Sequence, residues 1–210
     1  MAHGDVDASD RDLVVGAETV IAADAGALAL ERWGIEPNLV VGDLDSLGLA
    51  RASEIGARGA TVVPFPMEKA ESDLELAMRY ALESGADDIV ILGAFGGRFD
   101  HALANTMLLA DPAYRGWHVR AVQGATQLRA LHDGERVTLD GPIGSIVTLL
   151  PVGGDAQGVS TEGLRYTLAG DTLRFGRSRG LSNEITSSPA SVALGTGVLF
   201  VVEVRIGGKA

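Results

Sequence analysis

Five carboxylates fall where short apolar runs end. Asp24 closes Val20-Ile-Ala-Ala, and Asp43 and Asp45 close Leu39-Val-Val-Gly42. Asp73 lies in Lys69-Ala-Glu-Ser-Asp-Leu-Glu75, and Asp100 in Gly93-Ala-Phe-Gly-Gly-Arg-Phe-Asp-His101. If the runs are parallel strands, their C-terminal ends share one edge, where such sheets bind ligands. Carboxylates converging there repel one another unless a cation sits among them. Mg²⁺ suits hard oxygen donors and commonly bridges carboxylates to substrate phosphates. The Asp43-x-Asp45 spacing lets two carboxylates of one turn face a common ion. Gly96-Gly97-Arg98 adds backbone N–H groups free to approach an anion and a planar guanidinium fork, and Lys69 adds a point charge. Each residue alone also has a structural reading. Ser72-x-x-Glu75 is a capping box, Asp100 an N-cap, and a lone Asp-x-Asp a turn. The conjunction at successive strand ends carries the argument.

The elements that must hold these groups follow from patterning. Val20 to Ala23, Leu39 to Gly42, Ala60 to Pro64, Ile89 to Gly93 and His118 to Val122 read as strands buried on both faces. Helical patterns lie between them, at Ala25 to Trp33, Ala50 to Ala57, Leu74 to Ser84 and Ala102 to Ala110. This alternation predicts a parallel three-layer α/β domain over 1–123. Beyond Gly124 the pattern changes to strands parted by Gly and Asp turns, at Asp133-Gly, Gly153-Gly-Asp, Gly170-Asp and Gly195-Thr-Gly. Expected strands are Arg136 to Leu139, Ser145 to Leu150, Leu164 to Leu168, Ser191 to Leu194 and Val198 to Val204. A smaller antiparallel β sandwich or barrel is expected over 124–210.

Composition narrows the function classes. The 210 residues carry 17 Lys+Arg against 28 Asp+Glu, a net charge of −11. So acidic a chain is a poor nonspecific nucleic-acid binder. With no cysteine, disulfides, thiolate catalysis and Cys-ligated zinc are excluded. The longest apolar stretch, Val192 to Val204, is interrupted and short of a membrane span, so a cytoplasmic protein without membrane attachment is expected. No GxxxxGK[ST] or GxGxxG motif occurs, which leaves the common NTPase and dinucleotide readings unsupported.

Taken in order, the motifs resemble the thiamine pyrophosphokinase family. They are Asp24-Ala-Gly26, Gly42-Asp-Leu-Asp-Ser46, Lys69-Ala-Glu-Ser-Asp-Leu-Glu-Leu-Ala77, Gly93 to His101 with Asn105, and Ser182-Asn183-Glu184. Ser72 stands where the family has Thr, Ala25 where Gly or Ser is common, and Asn38 where Asp is usual. The resemblance implies transfer of pyrophosphate from ATP to the hydroxyl of thiamine, releasing AMP. It implies a Mg²⁺ and catalytic set of Asp43, Asp45, Asp73 and Asp100, with the hydroxyl's proton acceptor left between Asp73 and Asp100. It implies ATP contacts from Asp24, Lys69, Ser72, Gly96, Gly97, Arg98 and Asn105. Thiamine contacts fall to Ser182 and Asn183 in the β domain, and the implied assembly is a homodimer whose sites join one chain's carboxylates to the other chain's Ser182–Asn183 loop. Similar proteins begin with a further strand before Asp5, so the expectation is that the start lies downstream of the native one, or that this strand is missing or replaced. Two other readings stay open: a pyrophosphokinase for another alcohol such as a hydroxymethyl pterin, and a non-catalytic thiamine- or nucleotide-binding module.

Overall fold

The computed structural model describes residues 1–2 and 4–206 and divides into two compact units. The first holds residues 1–108 and 121–124, the second 109–120 and 125–210.

In the first unit, β1 (Ile21–Ala23), β2 (Leu39–Gly42) and β3 (Thr61–Pro64) form a parallel sheet in that order. Ala23 aligns with Val41, and Val41 with Val63. Alternation along each strand sends neighbours to opposite faces. Ala22 and Val40 meet Leu30 of α2 (Gly26–Arg32) and Ile55 of α3 (Leu49–Ala57). Ala23 and Val41 meet Leu76 and Ala77 of α4 (Asp73–Glu83). Helices therefore cover both faces, the expected layering. Met1 and Ala2 lie between β1 and β4 (Asp88–Leu92). The Met1 ammonium donates to Ile21 O at 2.7 Å, Ala23 N to Met1 O at 2.9 Å, and Ala2 N to Leu92 O at 2.7 Å. A short α1 (Arg11–Val15) has no counterpart in the sequence reading, being too brief to show a helical period. After β4 comes α5 (Phe99–Leu108), and β5 (His118–Gln123) contributes its last residues to this unit.

The second unit is a curled antiparallel sheet. Its path runs β6 (Thr126–Leu131), β12 (Thr196–Val204), β8 (Ile146–Glu162), β11 (Ser191–Ala193), β7 (Arg136–Thr138). β9 (Asp171–Leu173) and β10 (Asn183–Glu184) also pair with β8. Leu149, Val159, Leu173, Ile185, Val192 and Leu199 are among its buried core. Two expectations are corrected here. Gly153-Gly-Asp is not a turn: β8 runs through it for 17 residues, taking Gly153 at φ 70° and shifting register against β12. A glycine inside a strand marks a bulge as readily as a reversal. Leu164 to Leu168 is not a strand. Both leucines are buried, but the segment is tied by Leu168 N to Thr161 Oγ1 (2.9 Å) and Thr161 N to Leu168 O (2.9 Å), with only an isolated bridge from Leu164 to Ile185.

Candidate active site

The three aspartates nearest the sheet come together at its C-terminal edge. Asp24 directly follows β1, Asp43 directly follows β2, and Asp45 opens the turn two residues further on. One carboxylate oxygen from each lies within 4.8 Å of the others. The backbone is bent to make this possible: Asp24 takes φ 43° and Leu44 φ 62°, conformations rarely adopted outside glycine. Asp24 is buried and accepts from Leu47 N at 3.2 Å, which ties the turn of Asp43 and Asp45 to the end of β1. Asp45 N donates to Asp43 Oδ1 at 3.2 Å, and Ser46 Oγ to Asp45 Oδ1 at 3.0 Å.

Lys69 and Asp73 adjoin the cluster. The Lys69 ammonium lies 3.0 Å from Asp73 Oδ1 and 3.5 Å from Asp43 Oδ2. The backbone N–H of Asp45, together with Lys69, holds the Asp43 carboxyl below its ordinary range against the opposing effect of burial. Asp73 is pushed the other way. Burial raises it, and Asp43 and Asp24 add repulsion that the Lys69 ammonium does not cancel. Burial disfavours the Lys69 charge, but Asp73 and Asp43 together raise it. Gly42 makes the convergence possible. At φ 147° a Cβ would stand 3.0 Å from Asp24 Cβ and 3.1 Å from both Cγ and Oδ1 of Asp73. Ser72 caps α4, accepting from Glu75 N at 3.2 Å, which is the Ser72 half of the expected capping box.

In the glycine loop the acid at the start of α5 has a cationic partner of its own. Arg98 donates to both Asp100 oxygens, Nε to Oδ1 at 3.1 Å and Nη2 to Oδ2 at 2.6 Å, with both side chains well exposed. The guanidinium holds Asp100 down to about 2. Gly96 and Gly97 have positive φ, and the Asp5 carboxylate packs so closely on Gly96 that a Cβ there would stand 2.2 Å from its Oδ2. Asn105 donates to Ala94 O at 3.1 Å and so ties α5 to this loop.

In the second unit, Ser182 takes φ 56°. Among the described residues, Asp24, Leu44 and Ser182 are the non-glycine residues with positive φ, and all three lie in segments singled out by motif. Asn183 is buried with its amide engaged by backbone. Oδ1 accepts from Tyr166 N (2.9 Å) and Glu184 N (2.9 Å), and Nδ2 donates to Tyr166 O (2.7 Å). Its hydrogen bonds hold the backbone of Tyr166, a residue that is 66% exposed.

The model of the thiamin pyrophosphokinase catalytic domain matches residues 11–120, and that of the family's vitamin B1 binding domain matches residues 136–199. The chain belongs to the thiamin pyrophosphokinase family. A Bacillus subtilis thiamine pyrophosphokinase is 27% identical over 182 residues, covering 87% of this chain and 85% of its own. A Caenorhabditis elegans thiamin pyrophosphokinase is 26% identical over 187 residues, covering 80% and 71%. The crystal structure of the Bacillus subtilis enzyme superposes with a TM-score of 0.84 at 25% identity, over 97% of this chain and 96% of that one.

Of the expected set Asp43, Asp45, Asp73 and Asp100, the structure brings Asp43 and Asp45 together with Asp24. Among the described residues the metal-capable group is Asp24, Asp43 and Asp45. Asp73 is joined to it through Lys69. Asp100 is engaged with Arg98. The strand-end pattern places Asp24 among the converging carboxylates, and the family resemblance gives it to ATP; it lies one residue past β1, as Asp43 lies one residue past β2. Tyr166 belongs to no motif of the sequence analysis, and it is the Asn183 hydrogen bonds that single it out.

Proposed function

We propose that this chain is a Mg²⁺-dependent thiamine pyrophosphokinase, transferring the terminal pyrophosphoryl group of ATP to the hydroxyl of thiamine and releasing AMP. The observation that carries the reading is the convergence of Asp24, Asp43 and Asp45 in a chain matched by both family domains. Three carboxylate oxygens within 4.8 Å are a hard-oxygen donor set suited to Mg²⁺. These three would hold the ion, with Asp73 and Asp100 candidates for nucleotide phosphates and for contact through water. When bound, Mg²⁺ would neutralise charge on the transferring phosphoryl oxygens.

The remaining chemistry belongs to the chain. The hydroxyl oxygen forms a bond to the β-phosphorus while the bond from that phosphorus to the α–β bridging oxygen breaks, and AMP leaves with that oxygen. The hydroxyl proton must go to a base. Asp73, raised by burial, accepts a proton more readily than an ordinary aspartate, whereas Asp100, held at about 2, is a poor base while Arg98 grips it. Arg98 supports phosphoryl oxygens through its planar fork once Asp100 releases it, and Lys69 offsets part of the repulsion between Asp43 and Asp73. Gly96, Gly97, Ser72 and Asn105 shape the nucleotide side. Ser182 and Asn183 form the thiamine half-site, with the Tyr166 ring offering a face to a planar cation. The assembly is a homodimer in the cytoplasm. The direct test is AMP release from ATP with thiamine, with and without Mg²⁺. AMP formation that needs both thiamine and Mg²⁺ supports the reading. Thiamine binding without AMP would favour a non-catalytic module, and AMP only with another alcohol would reassign the acceptor.

A further inference from the structure

Glu203 is a buried titratable group with no part in the chemistry above. It lies on β12, 2% exposed, on the same strand face as the core residues Leu199 and Val201. Its Oε2 accepts from Gly141 N at 3.0 Å, and its Oε1 is buried with no hydrogen-bond partner among the described residues. The Ser145 hydroxyl is likewise buried and unpartnered. Both groups crowd Gly141, where a Cβ would stand 2.7 Å from Ser145 Oγ and 3.3 Å from Glu203 Oε2. An aliphatic side chain would extend the core here without burying a carboxylate on a single N–H donor, a costly arrangement. The carboxylate has to be explained by what it holds.

What it holds leads to the Ser182–Asn183 loop. Gly141 begins the 141–145 turn, closed by Ser145 N to Pro142 O at 3.0 Å. That turn grips Ile185 twice, through Gly144 N to Ile185 O (2.8 Å) and Ile185 N to Ser145 O (2.9 Å). Ile185 directly follows β10, which carries Asn183. The same residues are in register across the sheet. Gln127 of β6 pairs with Glu203, Glu203 with Val147 of β8, and Val147 with Asn183. Paired residues point to one face, so Glu203 and Asn183 flank Val147 in a single buried row. Charged groups near Gln127 include Arg129 and Asp140, paired at 2.8 Å, and Arg205, whose charge also acts on Asp140; Gln127 Nε2 lies 3.4 Å from Asp140.

We infer that Glu203 is a positioning residue for the acceptor half-site, fixing the Ser182–Asn183 loop through the Gly141 N–H and the turn that grips Ile185. The inference rests on reading that loop as the thiamine half-site. The test uses the full chain with Glu203→Leu, Glu203→Gln and Gly141→Ala. Readouts are KM for thiamine, KM for ATP, and amide hydrogen exchange at Gly144 and Ile185. Glu203→Leu should raise the thiamine KM by about 10-fold, leave the ATP KM within about 2-fold, and speed exchange at both amides by about 10-fold. Glu203→Gln, which keeps an oxygen to accept from Gly141, should return all three to within about 2-fold of the parent. Should Glu203→Leu fail to fold, Gly141→Ala must give the same split by driving Ser145 aside. Unchanged exchange in the folded variant overturns the linkage itself. Faster exchange with an unchanged thiamine KM overturns the inference through its premise, because the Ser182–Asn183 loop is then not the acceptor site. Equal increases in both KM values reduce Glu203 to a general stabiliser and overturn it as well.

Discussion

Asp43 groups with Asp24 and Asp45 and shares Lys69 with Asp73, and the opposed shifts of Asp43 and Asp73 separate the roles of those two. Asp43 is held charged and Asp73 is pushed toward its neutral form. Asp45→Asn removes one donor of the three-oxygen group and should lower turnover by at least ~10²-fold in AMP release, with a raised Mg²⁺ requirement. Near-normal turnover would remove Asp45 from the site. Asp73→Asn should separate activity from stability. Its folded pKa lies above the ordinary 3.8, so the native state holds this proton more tightly than the unfolded chain. Stability is therefore lost as pH rises from 3.8 through the raised value, and the loss persists at neutral pH. The asparagine variant escapes that loss. Its Tm at pH 7 should equal or exceed that of the parent, the gap closing toward pH 3, while turnover falls. A Tm several degrees lower at pH 7 would mean that the Lys69 contact outweighs the burial of Asp73. At this scale the sequence showed which residue types converge. It placed all five acids at one edge without separating Asp24 from Asp100, because φ 43° at Asp24 and the Arg98–Asp100 pair are set by local backbone geometry that spacing does not encode.

Between elements, single residues act as joints. Gly42 lets the end of β2 pass under Asp24 and Asp73. Gly42→Ala should cost roughly 1–3 kcal/mol, combining positive-φ strain with a Cβ contact near 3 Å, and should reduce AMP release because the displaced atoms belong to two of the acids. Urea unfolding measured beside activity checks both effects, and an unaltered midpoint would show that the turn relaxes. Asn183 joins β10 to the Tyr166 segment. Asn183→Ala leaves the N–H groups of Tyr166 and Glu184 and the carbonyl of Tyr166 without their present partners, a loss of about 1–3 kcal/mol per buried group left unsatisfied. Its midpoint should drop accordingly, whereas Tyr166→Ala, which removes an exposed ring, should barely move it. In the first unit β1 and β2 were legible because parallel strands buried on both faces are continuous apolar runs, while β3, exposed at Thr61 and Pro64, showed only its Val62-Val63 pair. In the second the signals were weaker. β9 and β10 span three and two residues, below any period, and Leu164 to Leu168 alternates like a strand while its polar groups are met by Thr161 and Asn183.

At the scale of the molecule, charge is unequally shared. Residues 1–108 hold nineteen Asp+Glu against seven Lys+Arg, a net of −12, while residues 109–210 hold nine against ten, a net of +1. Helix α5 has no buried residue, and Phe99, Leu103 and Met107, spaced along one side of it, are 80%, 45% and 46% exposed. An apolar stripe on an acidic unit and a weakly basic second unit both suit association with a second copy, where unlike surfaces meet across a two-fold axis. The proposed dimer places one chain's carboxylates with the partner's Ser182–Asn183 loop, and complementation tests it. Asp45→Asn disables the metal side and Tyr166→Ala the acceptor side, each giving a poor enzyme alone. Random subunit exchange makes about half of the dimers mixed; with shared sites, each mixed dimer has one site bearing both lesions and one bearing neither, so about a quarter of all sites become intact. AMP release should recover to about that fraction of the parent rate. If each site is built within one chain, every site keeps a lesion and mixing restores nothing. Absence of rescue, with exchange confirmed by mass-tagged subunits, would refute the shared site while leaving the Asp24, Asp43 and Asp45 chemistry intact.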